Sequence, residues 1–162
     1  MTLYLLDANV LIRAHGDYYP IDRIPQFWEW LLEMGSQNCV KIPLEIYNEV
    51  TPSNGPLAEW LKRADVKEAL VLEESPDRAT VQRVLALGYA PDLDDVEMEQ
   101  IGRDPFLIAA AMVKPDRIVV TKEGSKPSAT RSRRKIPDIC KTFGVTCIND
   151  FILYRELNFS IK

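Results

Sequence analysis

Four carboxylates stand out because each lies where an α/β chain would place a site. Asp7 ends an unbroken apolar run, Leu3-Tyr4-Leu5-Leu6, and Asp is depleted in and around buried strands unless it is used. Glu49 falls in a helical segment opened by Pro43, after a short apolar stretch at 39–42. Asp104 precedes Pro105 at the start of an apolar segment, and Glu123 lies just past a hydrophobic stretch at 117–121. In open parallel sheets ligands gather beyond the carboxyl ends of the strands, so these distant positions can meet at one edge. Carboxylates packed together raise one another's pKa unless a cation neutralises them. Oxygen ligands without histidine or thiolate favour Mg²⁺ or Mn²⁺ over zinc. Such an ion polarises a phosphoryl oxygen and activates water for in-line attack.

Each acid has a plainer reading beside this one. Asp104 before Pro105 has the form of a helix N-cap with proline at the first helical position. Glu49 alone reads as a solvated helix acid, since Glu is rarely buried. Asn9, two residues after Asp7, reads as a cap. The rest of the composition narrows the chemistry. His15 is the only histidine, which rules out multi-histidine metal sites. Cys39, Cys140 and Cys147 form neither a CxxC nor a metal-ligand spacing, and are expected as reduced, mostly buried thiols.

The net charge of −4 weighs against a broad nucleic-acid footprint. The cations are nevertheless concentrated: Lys122, Lys126, Arg131, Arg133, Arg134 and Lys135 fall in one stretch, while acids crowd into 92–104. A basic stretch beside an acidic metal site would hold phosphates that the carboxylates repel, which makes these six the candidate nucleic-acid contacts.

The elements that must position these groups follow from periodicity. A buried strand at 3–6 feeds a short helix at 9–14, with a turn-rich connection at 16–20. Apolar residues at 27, 30, 31 and 34 mark an amphipathic helix opened by Pro25, its tryptophans facing the core. A strand at 39–42 leads to a helix at 44–50, a loop at 51–56, a helix at 57–64 and an extended piece at 67–72. Helices at 76–87 and 94–101 follow, then a helix at 106–113 that is apolar on every side. A strand at 117–121, a mobile basic loop at 122–135, a helix at 136–143, a strand at 145–148 and a closing helix complete the chain. Strands alternating with helices predict a three-layer α/β/α domain with a mostly parallel sheet, and 162 residues suit one domain over 1–162. No apolar stretch reaches the roughly 18 residues of a membrane span, and no signal peptide is visible, so the cytoplasm is the expected compartment.

Taken together, Leu-Leu-Asp7-Ala-Asn9-Val, Ile42-Pro43 through Glu49-Val50, Asp104-Pro-Phe-Leu-Ile-Ala-Ala-Ala and Val119-Val-Thr121-Lys-Glu123 resemble the PIN-domain nuclease family, in a branch related to VapC-type toxins. The resemblance spans residues 3 to about 150. It implies a twisted, Rossmann-like sheet of about five strands and Mg²⁺- or Mn²⁺-dependent endoribonuclease activity. It further implies that Asp7, Glu49 and Asp104 hold the metal, and that Asn9 and Thr121 orient ligands or water from behind. An antitoxin partner and a homodimer are common in such proteins. Glu123 stands where many relatives have Asn, and Lys126 where they have Asp, so the place of Glu123 in the site stays open. The alternative is a catalytically silent PIN-fold module that binds RNA or a protein partner. A haloacid dehalogenase-type phosphatase would need a second Asp where Asn9 stands, and a dinucleotide-binding fold would need a glycine-rich turn after the first strand.

Overall fold

The computed structural model describes residues 1–162. Five strands form one all-parallel sheet: β1 (Leu3–Leu6), β2 (Val40–Pro43), β3 (Val71–Leu72), β4 (Arg117–Val120) and β5 (Thr146–Ile148), in the order β3-β2-β1-β4-β5. The chain builds outward from β1 to β3, then crosses to the other side of β1 for β4 and β5. The reversal opens a crevice at the carboxyl ends of β1 and β4, the position at which α/β sheets bind ligands. Registers of Leu5 with Val119 and of Leu6 with Val120 bring Asp7 and Thr121 side by side just past the sheet.

Parallel strands need covered crossovers, and the composition supplies them. Tyr4, Leu5 and Leu6 are all buried, because β1 is central and packed on both faces. Helix α1 (Ala8–Arg13) leaves directly from β1 and widens into a π-helical turn at Ala14–Tyr18. Helix α2 (Pro25–Ser36) buries Phe27, Trp28 and Leu31 against the core, as its spacing predicts. Trp60 lies in a further short helix, α4 (Pro56–Leu61), which follows α3 (Leu44–Val50) and packs on Trp28 with ring centroids 5.0 Å apart.

The segment at 67–72 departs from expectation. It is helix α5 (Ala64–Leu70), with only Val71 and Leu72 extended. Val66, Ala69 and Leu70 recur at helical spacing and turn one face inward. Gly35 of α2 lets the two helices touch, since a Cβ there would lie 2.5 Å from a Leu70 methyl carbon. Helix α6 (Arg78–Arg83) continues into a second π-helical turn, Val84–Tyr89. Helix α7 (Asp95–Ile101) starts with a capping box in which Asp94 accepts from the Glu97 amide at 2.8 Å.

Helix α8 (Asp104–Met112) buries Leu107, Ile108, Ala109 and Ala111 and lies on the sheet over β1, β2 and β4. As the crossover into β4 it begins at the carboxyl edge of the sheet, which brings Asp104 to the crevice. Helices α9 (Ile136–Thr142) and α10 (Asp150–Glu156) flank β5. Of the three cysteines, all free thiols, Cys140 is buried and Cys39 and Cys147 are half-buried. No helix is long and apolar enough to cross a membrane.

Candidate metal centre

Asp7, Asp104 and Glu123 each present a carboxylate oxygen, and the three oxygens lie within 4.8 Å of one another. Asp7 comes from the end of β1, Asp104 from the start of α8 and Glu123 from the loop that leaves β4. Three anions at this spacing repel one another in a partly dry crevice, and burial disfavours their charged forms further. Burial pushes the Asp7 carboxyl up to about 6, even though Thr121 and the Ala8 amide hydrogen-bond its charged form. Asp104 rises to about 8, through burial first and then the charges of Asp7, Glu123 and Glu49. Glu123 is also raised, mainly by burial. A divalent cation would relieve all three at once.

A hydrogen-bond frame holds this end of the sheet rigid. Thr121 donates its hydroxyl to Asp7 Oδ2 at 2.8 Å and accepts from Asn9 Nδ2 at 3.2 Å and from the Glu123 amide at 3.1 Å. Asn9 Oδ1 accepts from the Lys122 amide at 3.0 Å. Asp7 Oδ1 accepts from the Ala8 amide at 2.8 Å, so the same carboxylate starts helix α1. The Asp-x-Asn pair on one strand end is thus stitched to Thr-x-Glu on the neighbouring one.

Over residues 4–161 the chain matches the family described as Domain of unknown function (DUF4411). The chain belongs to that family. No curated protein and no solved structure matches it. The all-parallel five-stranded sheet with an acidic triad at its edge is consistent with a PIN-like fold.

In this DUF4411 chain the plainer reading of Asp104 does not hold, and Glu49 sits apart from the other acids. Asp104 is not a cap: Arg103 occupies the N-cap position, Asp104 lies inside the first turn, and no side chain caps this helix. Its carboxylate is therefore not engaged in capping α8. Glu49, expected among the metal ligands, lies outside the tight triad on the exposed side of α3. It stays close enough for its charge to act on both Asp7 and Asp104, and Arg103 offsets part of its own charge. Glu123 is the third member of the closest group of oxygens.

The six candidate cations divide into two sets, which revises the picture of one mobile basic loop. Arg131 pairs with Glu97 and Asp92, each at 2.8 Å, tying the loop to the acidic start of α7. Arg134 donates to the Gly88 carbonyl, and Lys122 pairs with buried Asp150 at 3.3 Å. The Ser125 hydroxyl and the Lys126 amide both donate to Asp138 of α9, the latter at 2.8 Å. Lys126, Arg133 and Lys135 have no ion-pair partner within the protein and face a cavity of about 490 Å³ that also reaches Asp104 and Glu123. Tyr89, from the second π-helical turn, lines the same cavity. Nothing in a Gly-Tyr-Ala sequence after a helix marks it for this place.

Proposed function

We propose that this protein is a Mg²⁺- or Mn²⁺-dependent endoribonuclease and the toxin of a prokaryotic toxin–antitoxin pair. The observation that carries the reading is the convergence of Asp7, Asp104 and Glu123 at the crevice between β1 and β4, with two of the three carboxyls raised to about 6 and about 8. When bound there, a divalent ion supplies a Lewis acid for phosphodiester hydrolysis. The donor set fits such an ion: carboxylate oxygens alone, with no histidine within reach. Asp7, held by Thr121 and Ala8, fixes the ion's position. Asn9 and Thr121 keep the β4 loop and Glu123 in register with Asp7. Lys135, whose charge already acts on Asp104 and Glu123, offsets the repulsion that an incoming phosphate would meet. The unpaired cations on the cavity rim suit a polyanion, and an antitoxin that silences the site would cover them with an acidic segment.

Purified protein incubated with total cellular RNA in Mn²⁺, Mg²⁺ or chelator tests the activity, with new RNA ends read by sequencing. Discrete cuts that need metal and vanish in Asp7→Asn are expected, and Asn can still cap α1. Cutting that persists in the variant, or protein that binds no divalent ion, would overturn the assignment.

A further inference from the structure

The cavity beside the acidic centre carries features that neither the fold nor the triad requires. Its wall joins α7 and α8 to the basic loop, and its volume of about 490 Å³ falls in the range of small-ligand sites. Arg131 is spent in ion pairs with Asp92 and Glu97 and Arg134 in hydrogen bonds to the Gly88 and Asp138 carbonyls, whereas Lys126, Arg133 and Lys135 line the cavity without an ion-pair partner. Ser128 and Thr130 add hydroxyls to the same wall. The decisive group is Tyr89. It is 7% exposed, and its hydroxyl is buried with no hydrogen-bond partner. The carboxylates of Asp104 and Glu123 are the charges that act on it most strongly. A buried hydroxyl left unpaired costs stability, and this one belongs to a residue on the cavity wall, where an incoming acceptor would pair it.

We propose that this cavity is a phosphate subsite. It would take a phosphodiester of single-stranded RNA next to the one held at the acidic centre, with Lys126, Arg133 and Lys135 supplying charge and the Tyr89 hydroxyl donating to a phosphate oxygen. The choice of RNA as the source of the phosphate rests on the nuclease reading, while the phosphate chemistry stands on the cavity itself. A donor-rich pocket with a positive rim selects a compact oxyanion. The subsite makes the substrate at least two phosphates long, and it makes Tyr89 a binding residue.

The test is fluorescence anisotropy of a labelled RNA decamer in EDTA, where cleavage cannot contribute, across a range of salt and with inorganic phosphate or poly-glutamate as competitor. Arg133→Ala and Lys126→Ala should each weaken binding and lower the log–log salt slope by about 0.7 for every phosphate that is no longer neutralised. Tyr89→Phe should weaken binding about tenfold, leave the salt slope unchanged and leave the ligand-free protein as stable or more so, because it removes an unpaired buried hydroxyl. That opposition between binding and stability is not expected of a residue that only packs. Unchanged affinity in Tyr89→Phe, or competition by poly-glutamate but not by phosphate, would overturn the subsite. Metal-dependent cutting by wild type with all three substitutions silent in binding would sink the subsite alone. Intact decamer binding, weakened as predicted by the substitutions, in a protein that never cuts would support the subsite and sink the nuclease reading.

Discussion

Thr121 shows how much of the centre depends on one hydroxyl. It is 1% exposed, donates to Asp7, and accepts from both Asn9 and the Glu123 amide. Thr121→Val keeps the shape and removes all three bonds. It is expected to leave two part-buried donors, Asn9 Nδ2 and the Glu123 amide, without this acceptor and to cost about 1–3 kcal/mol in denaturant unfolding. Mn²⁺ affinity, read by calorimetric titration, should fall about 10–100-fold because Asp7 is no longer held. Unchanged Mn²⁺ affinity would show that Asp7 is positioned by other groups. Both halves of this frame are visible in the sequence, because Asp-x-Asn at one strand end and Thr-x-Glu at another are local patterns. Their mutual hydrogen bonds are not legible there, since 114 positions separate Asp7 from Thr121 in the chain.

Among the elements, the basic loop and α7 form one unit. The acidic run at 92–99 and the basic run at 122–135 look like separate features in the sequence, but they neutralise each other across Arg131, Asp92 and Glu97. Arg131 also holds a left-handed backbone, φ 54°, which the flanking contacts keep in place. Arg131→Ala should release the loop without disturbing the sheet. Hydrogen exchange is expected to speed up over 124–135 and at the start of α7, while β1 and β4 stay protected. Equal acceleration in β1 would mean that the loop is part of the folding core. Helix α5 is the opposite case: the segment at 67–72 reads as an extended piece, but only Val71 and Leu72 are strand. Packing against α2 through Gly35 decides for helix.

For the whole molecule the unpaired acids make stability depend on pH. Asp7 and Asp104 have folded pKa values of about 6 and about 8, raised from the ordinary 3.8. Between pH 4 and pH 8 the unfolded chain has therefore released protons that the fold still holds. The unfolded state binds fewer protons, so stability falls as pH rises through this window. Metal-free protein should accordingly melt at a lower temperature at pH 8 than at pH 5.5. Mn²⁺ binding needs the deprotonated acids and releases their protons, so its stabilisation should grow over the same window and flatten the profile. Thermal melts at several pH values, with and without Mn²⁺, check both halves. A metal-free profile that rises from pH 5.5 to pH 8 would contradict the burial of the two acids.

The sequence by itself determined the alternation of strands and helices, the apolar all-round helix that begins at Asp104, and the short list of acids and cations from which any site must be drawn. These are local properties: runs of buried side chains, turn residues, and a carboxylate where an apolar run stops. Only the tertiary structure decided which acids meet. The reversal of strand order after β3 puts β4 against β1, so Glu123 joins Asp7 and Asp104 while Glu49 is left on the exposed face of α3. It also decided which cations are free, because ion pairs such as Arg131 with Glu97 form between segments 34 residues apart. The unpaired hydroxyl of Tyr89 has the same origin: burial is a property of neighbours, and those neighbours come from α8, α9 and the β4 loop.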